Sequence, residues 1–195
     1  MDLKKIPTLF ERVFDNHRKV GIKPNVTPGM EWVLKGEGIA TEKIDGSCCA
    51  IINGEFYKRY DAKRGKNPPA GAIPCGEPDP ITGHWPHWVK VDTDDKGAKW
   101  HLEAYQNTNG NELPDGTYEV VGPHFQNNPH GLEKDILVKH GANILEDVPR
   151  SFEGIQEYLK EHYIEGIVFW KDGNPQCKIK RSDFGFEWNG GGTRE

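Results

Sequence analysis

Asn53-Gly54 lies between two runs rich in strand-forming residues, and this dipeptide limits most sharply what the chain can become. A two-residue Asn-Gly connection puts both residues at positive φ, the twist that closes an antiparallel hairpin. The run from Ile39 to Tyr60 therefore reads as two paired strands. A second hairpin is expected over residues 164–181, where IEGIVFW and QCKIKR flank a turn at Lys171-Asp172-Gly173-Asn174. GTYEVVG (Gly116 to Gly122) and residues 135–140 add two further short strands. With 23 Gly and 14 Pro to punctuate the chain, a helical bundle is excluded. Strands joined by tight turns, with a few helices, define an α+β class.

Two helices are expected. In residues 8–17, Leu9, Phe10, Val13 and Phe14 share a helical face behind a Thr8 cap. In residues 152–162, Ser151 caps a helix with Phe152, Ile155 and Leu159 on one side. Gly21, Pro24, Pro28 and Gly29 make residues 18–36 mostly irregular, and the tail from Asn189 is expected to fray. Six prolines between 65 and 92 mark a long irregular insertion containing GHWPHWVKV. The 195 residues suit a single domain, 1–195, carrying that Pro-rich insertion.

The net charge of -5 argues against a broad, sequence-independent grip on a duplex, since counterion release needs many cationic contacts. The densest basic stretch is local, with Lys58, Arg59, Lys63, Arg64 and Lys66. Trp85 and Trp88 offer surfaces for stacking on bases, but core packing of the insertion is the better account of them from sequence alone. The 4 Cys, with Cys48 and Cys49 on opposite faces of one strand, form no C-x-x-C pair, so a structural zinc site is not signalled. They read as reduced thiols of an intracellular protein, cytoplasmic or nuclear. The N-terminus carries no signal-peptide run, and no membrane partner is expected.

The chemistry concentrates in Glu42-Lys43-Ile44-Asp45-Gly46. A lysine ending a strand before an Asp-Gly turn puts an amine beside flexible backbone. Desolvation or a cationic neighbour lets such an amine shed its proton and attack phosphorus. K-x-D-G alone is common in exposed turns. The case rests on an ordered set: Arg59 in the second arm of a hairpin that starts at Lys43, Glu119 in TYEVVG, Glu165-Gly166 before IVFW, and Lys178 with Lys180 on one strand face. Two lysines side by side repel unless an anion sits between them, and a triphosphate is such an anion.

That set, EKIDG, KRYD, TYEVVG, IEGIVF and CKIKR, spans residues 41–181 and resembles the covalent nucleotidyltransferase superfamily of ATP-dependent DNA ligases, RNA ligases and mRNA capping enzymes. ATEKIDGSCC, GHWPHW and YEVVGP are further similar to the small ATP-dependent RNA ligases related to the vertebrate 5′–3′ RNA ligase. The resemblance implies an antiparallel-sheet nucleotidyltransferase (ATP-grasp-like ligase) domain, ATP as cofactor with Mg2+ or Mn2+, and Lys43 as the residue that is adenylylated. It implies an RNA partner with 5′-phosphate and 3′-hydroxyl ends, and a monomer. It places Arg59 and Glu119 near the ribose and the backbone of Glu42 and Ile44 near the adenine edge. It sets Lys178 and Lys180 against the phosphates, and Glu165 near the reacting phosphate and its hydrated metal, with Asp45 a second metal neighbour. The base-stacking residue falls to Leu137, Val138 or His140, because DILVKHG offers no Phe or Tyr.

Two departures count against DNA ligases and capping enzymes. Cys48 stands where they usually carry Arg, and residues 182–195 are too few for the OB-fold domain that follows their last motif. The expectation is an RNA ligase, with DNA ligase, mRNA guanylyltransferase and a non-catalytic nucleotide- or RNA-binding module as rivals.

Overall fold

The computed structural model describes residues 4–16, 18–80 and 82–190. The strands are β1 (Phe10–Asp15), β2 (Arg18–Val26), β3 (Ile39–Lys43), β4 (Ser47–Ile52), β5 (Glu55–Ala62), β6 (Ile73–Pro74), β7 (Trp85–Lys90), β8 (Gly116–Val121), β9 (Ile136–Lys139), β10 (Gly166–Lys171) and β11 (Asn174–Lys180). The helices are α1 (Glu31–Leu34), α2 (Lys99–Asn107) and α3 (Phe152–Glu161). All strand pairing between these elements is antiparallel, so the α+β expectation holds. The chain divides into two compact units. The flanking unit is Ile6–Ile44 with Gly141–Asn189, and Asp45–His140 make up the body of the central unit.

In the flanking unit, β3 and β11 pair on either side of β10. The β10–β11 hairpin closes as expected, with Asp172 and Gly173 at φ 52° and 74°. Lys178 joins β11 to residues 7–9: Leu9 N–H donates to the Lys178 carbonyl at 2.7 Å, and Lys178 N–H donates to the Pro7 carbonyl at 3.0 Å. One face of the sheet buries Ile167, Phe169, Cys177 and Ile179 against Leu9, Phe10 and, from α3, Ile155 and Leu159. The Ser151 hydroxyl caps α3 by accepting from Gly154 N–H, as its position before the apolar face required.

Residues 8–17 are not a helix, with His17 outside the described residues: Phe10–Asp15 form β1, paired with β2. Residues 18–36 are correspondingly not irregular. The apolar spacing misled because a helix would have buried all four side chains, whereas Val13 and Phe14 are 37% and 60% exposed here. Pro24 and Gly21 masked the partner strand. The register shift between Phe10 and Arg12 leaves Pro24 unpaired, which a residue without an N–H requires.

The central unit is a six-stranded sheet in the order β6-β7-β5-β4-β8-β9. Asn53 and Gly54 turn at φ 53° and 74°, and the Asp115 carboxylate accepts from both their N–H groups at 2.7 and 3.0 Å. Strand alternation sorts β4 between two clusters: Cys49 and Ile51 pack with Tyr118, Val120, Leu137 and the α2 residue Ala104, while Cys48, Ala50 and Ile52 face Trp88 and Cys75. The thiols do point to opposite faces. The 65–92 segment is more regular than expected, because GHWPHWVKV supplies β7 and brings Trp88 and His87 into burial, at 0% and 1% exposed. Part of the 65–92 segment (Ile81) and most of the tail (residues 191–195) lie outside the described residues.

Candidate active site

In the flanking unit, Lys43 ends β3 and Lys180 ends β11, and both stand opposite Gly166 of β10. Gly166 lies between them because a Cβ there would sit 2.2 Å from the Ile179 carbonyl oxygen and 2.9 Å from Lys180 Cα. The two ammonium groups instead meet on the preceding residue. Glu165, 3% exposed, presents one carboxylate oxygen to Lys43 Nζ at 2.5 Å and the other to Lys180 Nζ at 3.3 Å. This double pairing offsets the cost of burying the carboxylate.

Lys178 projects from the same face of β11, two residues before Lys180, while Cys177 and Ile179 point into the core. Among the described residues Lys178 forms no ion pair. Burial pushes its ammonium down to about 8, and the neighbouring charges of Lys43, Lys180 and Arg12 push the same way, against Glu165. Lys43 and Lys180 thus share one carboxylate, with the charges of Lys178 and Arg12 close by, an arrangement that suits a polyanion. Arg12 belongs to no motif in the sequence, and the apolar spacing around it imitates a helix where the chain forms β1. Glu42 precedes Lys43 on β3, where its N–H donates to the Asn143 carbonyl at 2.9 Å and its carboxylate accepts from Asn143 Nδ2 at 3.1 Å. Ile44 closes the flanking segment.

The chain enters the central unit at Asp45-Gly46. Asp45, 5% exposed, donates its N–H to His130 Nε2 at 3.2 Å. Gly46 donates its N–H to Glu119 Oε1 at 3.2 Å and accepts at its carbonyl from Gln126 Nε2 at 3.0 Å. A Cβ on Gly46 would lie 2.1 Å from the Val120 carbonyl oxygen, so the Asp-Gly turn needs its glycine for close approach. His130 and Gln126 were not singled out from sequence; their only signal was a Gly/Pro/Asn-rich loop after the TYEVVG strand.

Glu119 is held at its second oxygen by His140 Nε2, 2.8 Å away, and His140 Nδ1 contacts the Thr117 hydroxyl at 2.9 Å. Cys48 is opposite Glu119 in the β4–β8 register. Val138 is opposite Glu119 on the other side, whereas Leu137 packs into the core, so Val138 and His140 are the stacking candidates left on the Glu119 face. Lys43 is not in the hairpin with Arg59: that hairpin begins at Ser47, and Lys43 belongs to β3, whose partner is β10. Arg59 lies opposite Trp88 and forks onto its strand neighbour Asp61 at 2.9 and 3.1 Å. His101, from the unforeseen α2, stands 3.5 Å from Ser47 Oγ; burial, with Lys58 nearby, lowers its pKa to about 4, so it is neutral near pH 7.

The flanking cluster gathers cationic donors around one buried carboxylate. No family model matches the chain. It is similar to RNA ligase 1 of Danio rerio, 27% identical over 220 residues covering 76% of this chain and 68% of the relative. RNA ligase 1 of Rattus norvegicus is 26% identical and that of Pongo abelii 25%, each over 225 residues covering 77% of this chain and 68% of the relative. The relationship to vertebrate RNA ligases read from the motifs is therefore borne out, and at that level the chain is a relative of ligase enzymes. Among the described residues no helix is long and apolar enough to cross a membrane.

Proposed function

We propose that this chain is an ATP-dependent RNA ligase that joins 5′-phosphate and 3′-hydroxyl ends through adenylylated Lys43. The observation that carries the reading is the row Lys43–Gly166–Lys180, with Glu165 holding both amines and Lys178 beside them. The Lys43 amine forms a bond to the α-phosphorus of ATP as the bond to pyrophosphate breaks. The proton lost from the ammonium leaves along the contact with Glu165. Lys178 and Lys180 balance charge that grows on phosphate oxygens, which is where most catalysis of phosphoryl transfer originates. The AMP then passes to an RNA 5′-phosphate, and a 3′-hydroxyl displaces it to seal the strand.

Mg2+ or Mn2+, when bound, neutralises phosphate charge. Glu165 is a hard oxygen donor that fits such an ion through water, although both its oxygens already hold lysines, which keeps direct ligation sparse. Asp45 is the second proposed neighbour. The adenine role of Glu42 and Ile44 and the ribose role of Arg59 and Glu119 remain proposals on the strength of the motifs.

The test is mass spectrometry of the protein after ATP and magnesium, with α-labelled GTP in parallel. The expected result is one added AMP on Lys43, lost in Lys43→Arg, which keeps the charge but cannot act as nucleophile. Label retained from GTP alone points to a guanylyltransferase, and no adduct points to a binding module.

A further inference from the structure

Cys48, Glu119 and His140 lie together on one face of the central unit, each partly exposed, with a ligand atom from each all within 4.8 Å of one another. We propose that these three side chains form a soft divalent-metal site, suited to zinc, whose occupation competes with use of Glu119 for nucleotide. The competition rests on the proposed ribose role of Glu119; the metal site does not.

The donor set carries the argument. Zinc takes thiolate, imidazole and carboxylate in tetrahedral sites, and three protein ligands leave a fourth position for water. Bond lengths of such a site put its donor atoms roughly 3.2–3.7 Å apart. The 2.8 Å separation of His140 Nε2 and Glu119 Oε2 opens slightly to reach this, and the sulfur closes by about 1 Å, within a rotation of the Cys48 side chain. The strand register fixes the carboxylate opposite the thiol. Thr117 Oγ at 2.9 Å from His140 Nδ1 is the kind of outer partner that leaves the other ring nitrogen to a metal.

Charge agrees. Arg59, whose charge Cys48 feels, is already matched by Asp61 in a two-point ion pair. Binding breaks the Cys48 S–H bond, the proton leaves to solvent, and one thiolate and one carboxylate balance the dication. Without metal the thiol stays protonated, because burial, and then Glu119, push its pKa up. Magnesium is a poor competitor here, since it prefers all-oxygen octahedra.

The experiment titrates nucleotide-free protein with Zn2+ against a chromophoric chelator, and with Co2+ while watching for a thiolate-to-cobalt band in the near ultraviolet. The expected result is one ion per chain, a cobalt band, and at least a tenfold loss of affinity in Cys48→Ala and His140→Gln, with the band absent in Cys48→Ala. Thermal melts check that both variants fold; if His140→Gln does not, Cys48→Ala decides alone. Equal zinc affinity in Cys48→Ala, or no cobalt band, overturns the site. A second arm measures AMP transfer to Lys43 with magnesium present: zinc should slow the wild type and spare Cys48→Ala. Zinc bound through Cys48 without slowing overturns the competition and removes Glu119 from nucleotide contact. Absence of any Lys43 adduct defeats the ligase reading and leaves the titration intact as a test of the metal.

Discussion

Lys178→Met should make the protein more stable and less active, and the stability gain should vanish in alkali. The methionine keeps the unbranched length, and the β11 backbone bonds of residue 178 to Pro7 and Leu9 do not involve the side chain. Burial and three cations hold the folded-state pKa of Lys178 near 8, against 10.5 for an ordinary lysine. Below pH 8 the folded state carries an ammonium that it tolerates poorly. Between pH 8 and 10.5 the unfolded chain keeps a proton that the folded chain has released, so folding becomes more favourable as pH rises. The slope is at most about 1.4 kcal/mol per pH unit, and over that window the total is about 3 kcal/mol. Denaturant unfolding of both proteins at pH 7 and at pH 10 isolates the effect. The variant's advantage should be largest at pH 7 and shrink by most of that amount at pH 10. Its adenylylation rate should fall roughly a hundredfold. A pH-independent difference, or a variant as active as the wild type, would refute the claim that this amine is kept in an unfavourable place for an anion.

Glu165→Gln should destabilise the fold by about 3–5 kcal/mol, because it leaves two part-buried lysines without their carboxylate. Inorganic pyrophosphate should then raise the melting temperature of this variant more than that of the wild type, and an equal shift in both would contradict the cluster. Gly166→Ala should cost more than about 2 kcal/mol through the clash with Ile179, read by chemical unfolding. In sealing assays with a 5′-phosphorylated strand, RNA ends should be joined faster than the all-DNA equivalent; equal or faster DNA sealing sinks the RNA assignment and leaves Lys43 untouched.

Local rules read the site-bearing strands well. Asn53-Gly54 and Asp172-Gly173 closed the hairpins they foretold, since each demands positive φ at two successive residues. The i, i+2 spacing of Lys178 and Lys180 correctly put them on one face, because strand alternation is a local property. What failed was pairing between segments. Nothing local says that β3 joins β10 rather than β4, so Lys43 was assigned to the wrong hairpin partner. Glu165 was picked out, but its grip on two lysines depends on register across three strands. KWHLEAYQN carries no clear helical signature because its apolar residues are scattered, and the burial of α2 comes from Ala104, with Ala98 just before the helix, meeting a sheet set by other segments. The opening strands were lost to competing periodicities, since Leu9, Phe10, Val13 and Phe14 fit a helix until β2 is known.

The path of the chain through its two units carries a consequence for how the protein is made. β3 finds its partner strand in β10 and a second set of backbone bonds in residues 143–145, all late in the sequence, and Lys43 meets Glu165 across 122 residues. A chain emerging from a ribosome releases Asp45–His140 as one uninterrupted stretch that holds every strand of the six-stranded sheet. That sheet can close while the lysine-bearing strand still waits, its edge unsatisfied, for the last quarter of the polypeptide. During this interval Lys43, the proposed nucleophile, has neither the Glu165 carboxylate nor its neighbouring lysines of β11. On the proposed reading, reactivity arrives late in synthesis, and a polypeptide cut short before residue 165 would carry the K-x-D-G sequence without the carboxylate and lysines that surround it in the fold.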